Sequence, residues 1–176
     1  MAVEAERSSE DGPLSGYAPA PRRPPFGSYA LFTGVFNAAF AAALAAADRS
    51  GRLPERPEAG DVLLIGVASH KLSRVITKDR ITSFVRAPFT EYQAPGGPGE
   101  VEERPRRGKG LRRAVGELLI CPYCLGLWVS AGMHLGVVYA PRPTRTVAST
   151  LTALTIADFL QIVYKAAEEK GLGDDA

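Results

Sequence analysis

Residues 115–140 read VGELLICPYCLGLWVSAGMHLGVVYA, and this stretch decides the class of fold. Glu117 near its start and His134 near its end interrupt an otherwise apolar run. Pro122 cannot donate an intrahelical hydrogen bond, so it should either open the main helix or kink it. The 19 residues from Pro122 to Ala140 still match the length that a helix needs to cross the hydrocarbon of a membrane. We therefore predict a membrane span here.

A second apolar block lies near the N-terminus. Residues 29–47 (YALFTGVFNAAFAAALAAA) contain no charge over 19 positions. Phe32, Phe36 and Phe40 recur every four residues, which gives a bulky stripe beside a smooth alanine face. Small faces of this kind let membrane helices approach closely. Because alanine contributes little insertion energy, the alternative is a soluble, alanine-rich amphipathic helix.

Two further blocks complete the set of predicted spans. Residues 61–76 (DVLLIGVASHKLSRVI) reach about 24 Å as a helix, so basic side chains at the helix end would have to extend to the headgroups. Residues 147–164 carry Asp158 and Gln161 as their main polar interruptions. We predict an all-α fold, a multi-pass transmembrane helical bundle of about four spans near 29–48, 61–77, 115–140 and 146–165.

The segments between these blocks are rich in charge, proline and glycine. Residues 1–28 contain no apolar period, so we predict a disordered, proline-rich tail before a membrane domain over 29–170. A short tail over 171–176 follows that domain. The basic loop over 78–114 contains the sequence QAPGGPGEVEERPRRGKG, and we predict disorder over 94–109.

The distribution of charge predicts the orientation in the membrane. The 21 Lys and Arg residues nearly balance the 19 Asp and Glu residues, so we expect no nucleic-acid partner. With four spans, 16 basic residues fall on the side of both termini and 5 on the other side. Positive residues favour the cytoplasm, so both termini and the 77–114 loop should lie on the cytoplasmic side of a bacterial inner membrane.

The basic run RPRRGKGLRR in this loop permits two interpretations. One is a soluble helical domain that binds nucleic acid through the run. The other is attraction to anionic lipid headgroups, which explains better why the run is flanked by apolar blocks. We therefore expect the lipid bilayer as the partner, with anionic lipid contacting the basic loop.

This topology places ionisable residues from three helices in the same half of the membrane. A carboxylate left in lipid is costly, so Asp158 should meet His70, Lys71 or Arg74 of the second span, with Glu117 close by. Two interpretations fit such an arrangement. The polar residues could be structural and fix the register of the helices, or they could form a binding or proton-handling site. The candidate functional cluster consists of His70, Arg74, Glu117, Cys121, Cys124 and Asp158.

The only two cysteines of the sequence, Cys121 and Cys124, form a single CPYC motif. A CxxC at a helix N-terminus favours thiolate chemistry, because the unpaired N–H groups stabilise the negative charge. The tetrapeptide equals that of glutaredoxin active sites, but no βαβ pattern surrounds it here. A zinc site would need two further ligands, and no second CxxC or histidine pair occurs at ligand spacing. The alternatives are a membrane thiol-redox or metal-binding site and two reduced thiols packed between helices.

Three segments together resemble one protein family: SHKLSRVITKDRITSFVRAPF, GELLICPYCLGLW and DFLQ. Over roughly 62–165 the chain is similar to the bacterial membrane proteins of domain of unknown function 1360, which include a Bacillus sporulation-associated member. The resemblance implies a membrane location and architecture, and it carries no established activity. The signature residues that it implies are His70, Arg74, Asp79, Thr82, Arg86, Pro88, Phe89, Gly116, Glu117, Cys121, Pro122, Cys124, Trp128 and Asp158.

We therefore expect a multi-pass integral membrane protein with a non-catalytic structural, assembly or cell-envelope role, which includes a role in sporulation. No catalytic residue, cofactor or metal is assigned from the sequence. The alternative function is a membrane thiol-redox or metal-binding protein that uses the CPYC pair.

Overall fold

Most of the chain is helical in the computed structural model, which describes residues 17–18 and 23–173. The predicted tail over 1–28 lies mostly outside the described residues, although its end belongs to the first helix. The last helix likewise extends into the predicted tail over 171–176. In chain order the elements are α1 (Phe26–Arg49), α2 (Ala59–Thr77), a 3-10 turn (Arg80–Thr82), α3 (Ser83–Arg86), β1 (Thr90–Pro95), β2 (Val101–Pro105), α4 (Leu111–Ile120), α5 (Pro122–Tyr139) and α6 (Pro141–Gly173).

The core of the bundle forms around α2, which packs between α5 and α6. Ile65 and Ala68 of α2 meet Met133 of α5 and Ala148 of α6, and all four side chains are buried. The most central helix therefore buries small and medium-sized residues, which allows its two neighbours to approach closely. Its other buried residues all carry hydroxyl groups: Ser69, Ser73 and Thr77.

Helix α1 packs on α5 through aromatic rings. Phe32 and Phe36 meet the ring of Trp128 edge-on, with centroid distances of 6.5 and 5.0 Å. Further along, the Tyr139 hydroxyl donates to the carbonyl oxygen of Ala43 at 2.6 Å. The phenylalanine stripe of α1 therefore faces α5, and the two helices run in the same direction.

The connection between α5 and α6 is shorter than the sequence predicts. The predicted spans over 115–140 and 146–165 leave residues 141–145 as a connector; the third apolar helix does end before Pro141, but the connector is wrong, because these residues belong to α6. Ala140 alone separates the two helices, and Pro141 opens α6. Proline is well tolerated in a first helical turn, because the N–H group that it lacks would have no partner there.

The predicted span over 115–140 is broken at Cys121. Helix α4 ends at Ile120, α5 begins at Pro122, and the two helix axes differ in direction by 86°. The prediction that Pro122 opens or kinks the helix is confirmed, since it is the first residue of α5. As a result α5 continues through the bundle and α4 turns away from its axis.

Two helices in the described part of the chain are long and apolar enough to cross a membrane, namely α1 and Pro141–Gly171 of α6. If α4 and α5 count as one broken span, the number rises to three. Helix α2 is long enough, with 19 residues, but Asp61, Lys71 and Arg74 make it too polar to qualify, so the four predicted spans are not confirmed. Many large apolar side chains of the qualifying helices are exposed, among them Leu31, Val35, Phe159, Leu160, Ile162 and Val163.

The largest departure from the sequence prediction is the ordered segment between α2 and α4. Disorder was expected over 94–109 and an all-α fold overall, and both expectations are wrong for this segment. Strands β1 and β2 pair antiparallel, from Thr90 opposite Pro105 to Pro95 opposite Val101. We call residues 78–110 the hairpin segment.

A buried arginine explains why the hairpin segment is ordered. The Arg86 side chain is fully buried, and its Nε donates to Glu103 Oε2 of β2 at 2.5 Å. Its terminal nitrogens donate to the carbonyl oxygens of Ile76 and Asp79 and to the hydroxyl of Thr82. One planar guanidinium therefore connects the end of α2, the 3-10 turn and β2, which is a geometry that five fixed N–H donors permit.

Helix α4 closes against the base of the hairpin at Gly116. A Cβ atom at this position would lie 2.6 Å from the carbonyl oxygen of Phe89 and 3.2 Å from the Cβ of Pro105. The backbones are thus too close for any side chain, which accounts for a glycine inside this helix.

Candidate functional site

An open cleft of about 710 Å³ lies where α2, α6 and the turn of the hairpin segment meet. Its walls combine ionisable side chains with apolar ones, and two glycines and a proline of the hairpin turn form one edge. Three of the six residues in the predicted cluster are here. The main lining residues are His70, Lys71, Arg74, Asp79, Glu100, Asp158, Phe159, Ile162 and Lys165.

Asp158 meets one of the three basic residues that the sequence names as partners. Its Oδ2 lies 2.7 Å from Lys71 Nζ, with side-chain exposures of 41% and 13%. Thr155, one turn earlier on α6, is buried, and Gln161 also lines the cleft. Thr155, Asp158 and Gln161 of α6 therefore line the cleft on the side of α2, as the cost of a carboxylate in lipid predicts.

Arg74 has a different partner from the one expected. Its guanidinium pairs with Glu100 Oε1 of the hairpin segment at 2.5 Å, and one turn later Lys78 pairs with Glu102 at 3.1 Å. These two pairs attach the hairpin turn to the end of α2. Because Arg74 is paired with Glu100, Asp158 pairs with Lys71 instead. His70 is exposed and lines the cleft.

Glu117 does not join the cluster, which corrects the prediction. Its Oε1 accepts from Arg113 Nε at 2.8 Å within α4, and its Oε2 accepts from the hydroxyl of Tyr29 on α1. The reason is the 86° break after Ile120, because α4 no longer shares the axis of the bundle. Glu117 instead helps to fix α1 against α4.

The two cysteines lie at that break and do not line the cleft. Cys121 is the N-cap residue of α5, and it is joined to Cys124 by a disulfide with Cα atoms 5.2 Å apart. Its sulfur also accepts the backbone N–H of Cys124 at 3.1 Å. The two cysteines are therefore oxidised in this structure, whereas one interpretation of the sequence was a pair of reduced thiols packed between helices.

The possible metal ligands of the described residues lie apart from one another, the cysteine pair excepted. Among residues 17–18 and 23–173, no group of three or more His, Cys, Asp or Glu side chains could hold a metal ion. The cysteine sulfurs are bonded to each other, and a thiolate rather than a disulfide sulfur is the usual zinc ligand.

Glu100 and Glu103 are the residues that sequence reasoning missed. Both lie in the stretch that was predicted to be disordered, yet one pairs with Arg74 and the other with the buried Arg86. The available signal was the turn sequence PGGPG between TEYQA and EVEERP, since glycine and proline between two short extended runs indicate a hairpin.

The fold and the cleft together define a mostly helical protein with two or three candidate membrane spans and an ordered polar segment at one end of its helices. Residues 64–164, more than half of the chain, match the family described as protein of unknown function (DUF1360). The chain belongs to this family.

Two relatives come from Bacillus subtilis (strain 168). UPF0713 protein YngL is 30% identical over 81 residues, which are 46% of this chain and 59% of YngL. Sporulation protein YjcA is 26% identical over 102 residues, which are 57% of this chain and 86% of YjcA. The chain thus spans about three fifths of YngL and most of YjcA. No solved structure matches the chain significantly.

Proposed function

We propose that the protein is an integral protein of the bacterial inner membrane with four crossing helices, α1, α2, α5 and α6, and a structural or assembly role in the cell envelope. The observation that carries this proposal is the exposed apolar surface of α1 and α6. Phe159, Leu160, Ile162 and Val163 are each more than 60% exposed on α6. So continuous an apolar surface is costly in water and favourable against lipid.

The position of α2 supports a fourth crossing although its sequence is not strongly apolar. Helix α2 lies between α5 and α6, so only part of its circumference would meet lipid. Ser73 and Thr77 donate their hydroxyls to carbonyl oxygens one turn earlier on the same helix, at 2.6 and 2.7 Å. Polar groups satisfied in this way are tolerated inside a membrane bundle.

The charge of the hairpin segment supports a cytoplasmic location for this end of the molecule. The hairpin, the start of α1 and the end of α6 lie on one side of the bundle, together with 14 of the 19 Lys and Arg residues in the described part of the chain. Cytoplasmic segments are enriched in these residues. Contact between the exposed arginines and anionic headgroups would follow from the same arrangement.

The ion pairs of the cleft support a structural rather than a catalytic role. Asp158 pairs with Lys71 and Glu100 pairs with Arg74, so the charged groups neutralise one another. Such pairs fix the register of α2 and α6 and hold the hairpin turn. The name of the relative YjcA, a sporulation protein, makes the sporulating envelope the setting to examine first.

Extraction of the full chain from cell membranes tests the proposal. An integral protein stays in the membrane pellet at alkaline pH and in high salt, and it becomes soluble only in detergent. If the chain is released by salt or by alkali, or is soluble without detergent, the proposal is wrong. A soluble cytoplasmic protein expressed beside it provides the control for the fractionation.

A further inference from the structure

The disulfide between Cys121 and Cys124 lies at a position suited to exchange with other thiols. The two residues flank the first turn of α5, directly after the break between α4 and α5. This bond closes only a four-residue loop, so it constrains the unfolded chain less, and contributes less stability, than a bond that closes a long loop. The position of this disulfide is therefore better explained by a role in thiol–disulfide exchange than by a role in stability.

The two sulfurs have different surroundings. Cys124 is exposed, and the neighbouring Tyr123 is 92% exposed, so no other part of the described chain covers this side of the pair. Cys121 is partly buried and its sulfur already accepts the N–H of Cys124 at 3.1 Å. As the N-cap residue, Cys121 also lies at the positive end of the α5 dipole.

These surroundings assign different roles to the two cysteines. Thiol–disulfide exchange is fastest when the attacked sulfur is accessible and the leaving sulfur is a stabilised thiolate. Cys124 satisfies the first condition by its exposure. Cys121 satisfies the second condition, because the N–H of Cys124 and the N-terminus of α5 stabilise a negative charge on its sulfur.

We propose that Cys121–Cys124 is a thiol–disulfide exchange site that accepts two electrons from a dithiol reductant. One thiolate of the reductant attacks Cys124 Sγ, which forms a mixed disulfide and breaks the bond to Cys121. Cys121 leaves as a thiolate. The second thiol of the reductant then attacks its own sulfur in the mixed disulfide and releases Cys124 as a thiolate.

The exchange balances in atoms and electrons. The reductant loses two electrons and becomes a disulfide, and the protein pair gains them. The two protons of the reductant thiols end on Cys121 and Cys124. This site is independent of the structural role proposed above, since neither cysteine lines the cleft. Failure of the membrane proposal would therefore leave it standing.

The first test uses the purified full chain in detergent, with its disulfide formed, and glutathione as the probe. After a short reaction, acid quenching, alkylation and peptide mass spectrometry locate the glutathione. We expect it on Cys124 over Cys121 by about tenfold or more, because access and leaving group both favour that bond. Glutathione mainly on Cys121, or equally on both, would overturn the assignment.

The second test separates an exchange site from a purely structural bond. Dithiothreitol should reduce the pair in the folded protein, with no change in helix content or in the trypsin cleavage pattern. A pair that is reduced only after denaturation would contradict the proposal. The Cys121→Ser and Cys124→Ser double variant, which should remain folded and monodisperse, provides the control that the chain does not need the bond.

Discussion

Lys71 of α2 and Asp158 of α6 form an ion pair of 2.7 Å that connects two neighbouring helices at the edge of the cleft. Both helices run in the same direction, since Asp61 pairs with Arg145 at their first turns and Lys71 pairs with Asp158 further along. The two ion pairs therefore fix the relative register of α2 and α6 at two levels, near the first turns and about midway along α6.

Loss of one partner of the Lys71–Asp158 pair should cost more than loss of both. Lys71→Gln and Asp158→Asn should each lower the free energy of unfolding in detergent by about 1–3 kcal/mol, because each leaves a charge without its partner. The double variant should recover part of that loss. Lys165→Gln is the matched control, since Lys165 is exposed and pairs only loosely with Glu169 at 3.9 Å. Additive losses would show that the two residues do not interact.

Arg86 should be the residue on which the hairpin segment depends most. Arg86→Lys keeps the charge but loses the planar donor arrangement, so four acceptors at the base of the hairpin lose their partner. We expect a loss of about 3–5 kcal/mol in the free energy of unfolding of this segment.

Limited proteolysis with trypsin measures that effect directly. The bonds after Lys78 and after residue 86, which are covered in the folded segment, should resist cleavage in the natural sequence and be cut in Arg86→Lys. Arg104→Lys is the control, because Arg104 is 52% exposed and pairs with Glu91 at the surface. Equal protection of all three chains would show that Arg86 does not order the hairpin.

Gly116 should not tolerate alanine. The added Cβ would meet the carbonyl oxygen of Phe89 at 2.6 Å, so α4 would have to move away from the hairpin. We expect a destabilisation of about 1–3 kcal/mol. Gly132→Ala in α5 has no atom within 4 Å and should be neutral or slightly stabilising. Thermal unfolding in detergent compares the two, and an unchanged midpoint for Gly116→Ala would contradict the close approach.

Reporter fusions should place the hairpin segment in the cytoplasm. Alkaline phosphatase, which is active only after export, should be inactive when fused after Gly110 and active when fused after Gly51 between α1 and α2. The expected asymmetry follows from the 16 basic residues on the hairpin side against 5 on the other. The opposite pattern of activity would reverse the orientation.

The helices could be predicted from the sequence because their signal is local. An uncharged run such as 29–47 predicts a helix without reference to the rest of the chain, and α1 covers that run. The pairing of Asp158 with α2 also followed from a simple argument, since a carboxylate in an apolar helix needs a cation at a similar depth.

The hairpin segment and the place of Glu117 could not be predicted in the same way. Order in the hairpin depends on Arg86 and Glu103, which lie 17 residues apart and meet only once the chain has folded back. Glu117 was placed by counting residues along a straight helix, and the 86° break at Cys121 removes it from the bundle axis. Counting residues gives the depth of a side chain only if the helix stays straight, and the sequence did not give the angle of the bend.

The central position of α2 has a consequence for how the protein is made. Helix α2 leaves the ribosome second, but the two helices that enclose it come later in the chain. During synthesis Lys71 has no ionic partner until α6 is complete, whereas Ser73 and Thr77 donate to carbonyl oxygens of α2 itself. If α2 crosses the membrane as proposed, the insertion machinery of the cell must hold this helix until its neighbours arrive, and α6 then closes the bundle as the last step of biogenesis.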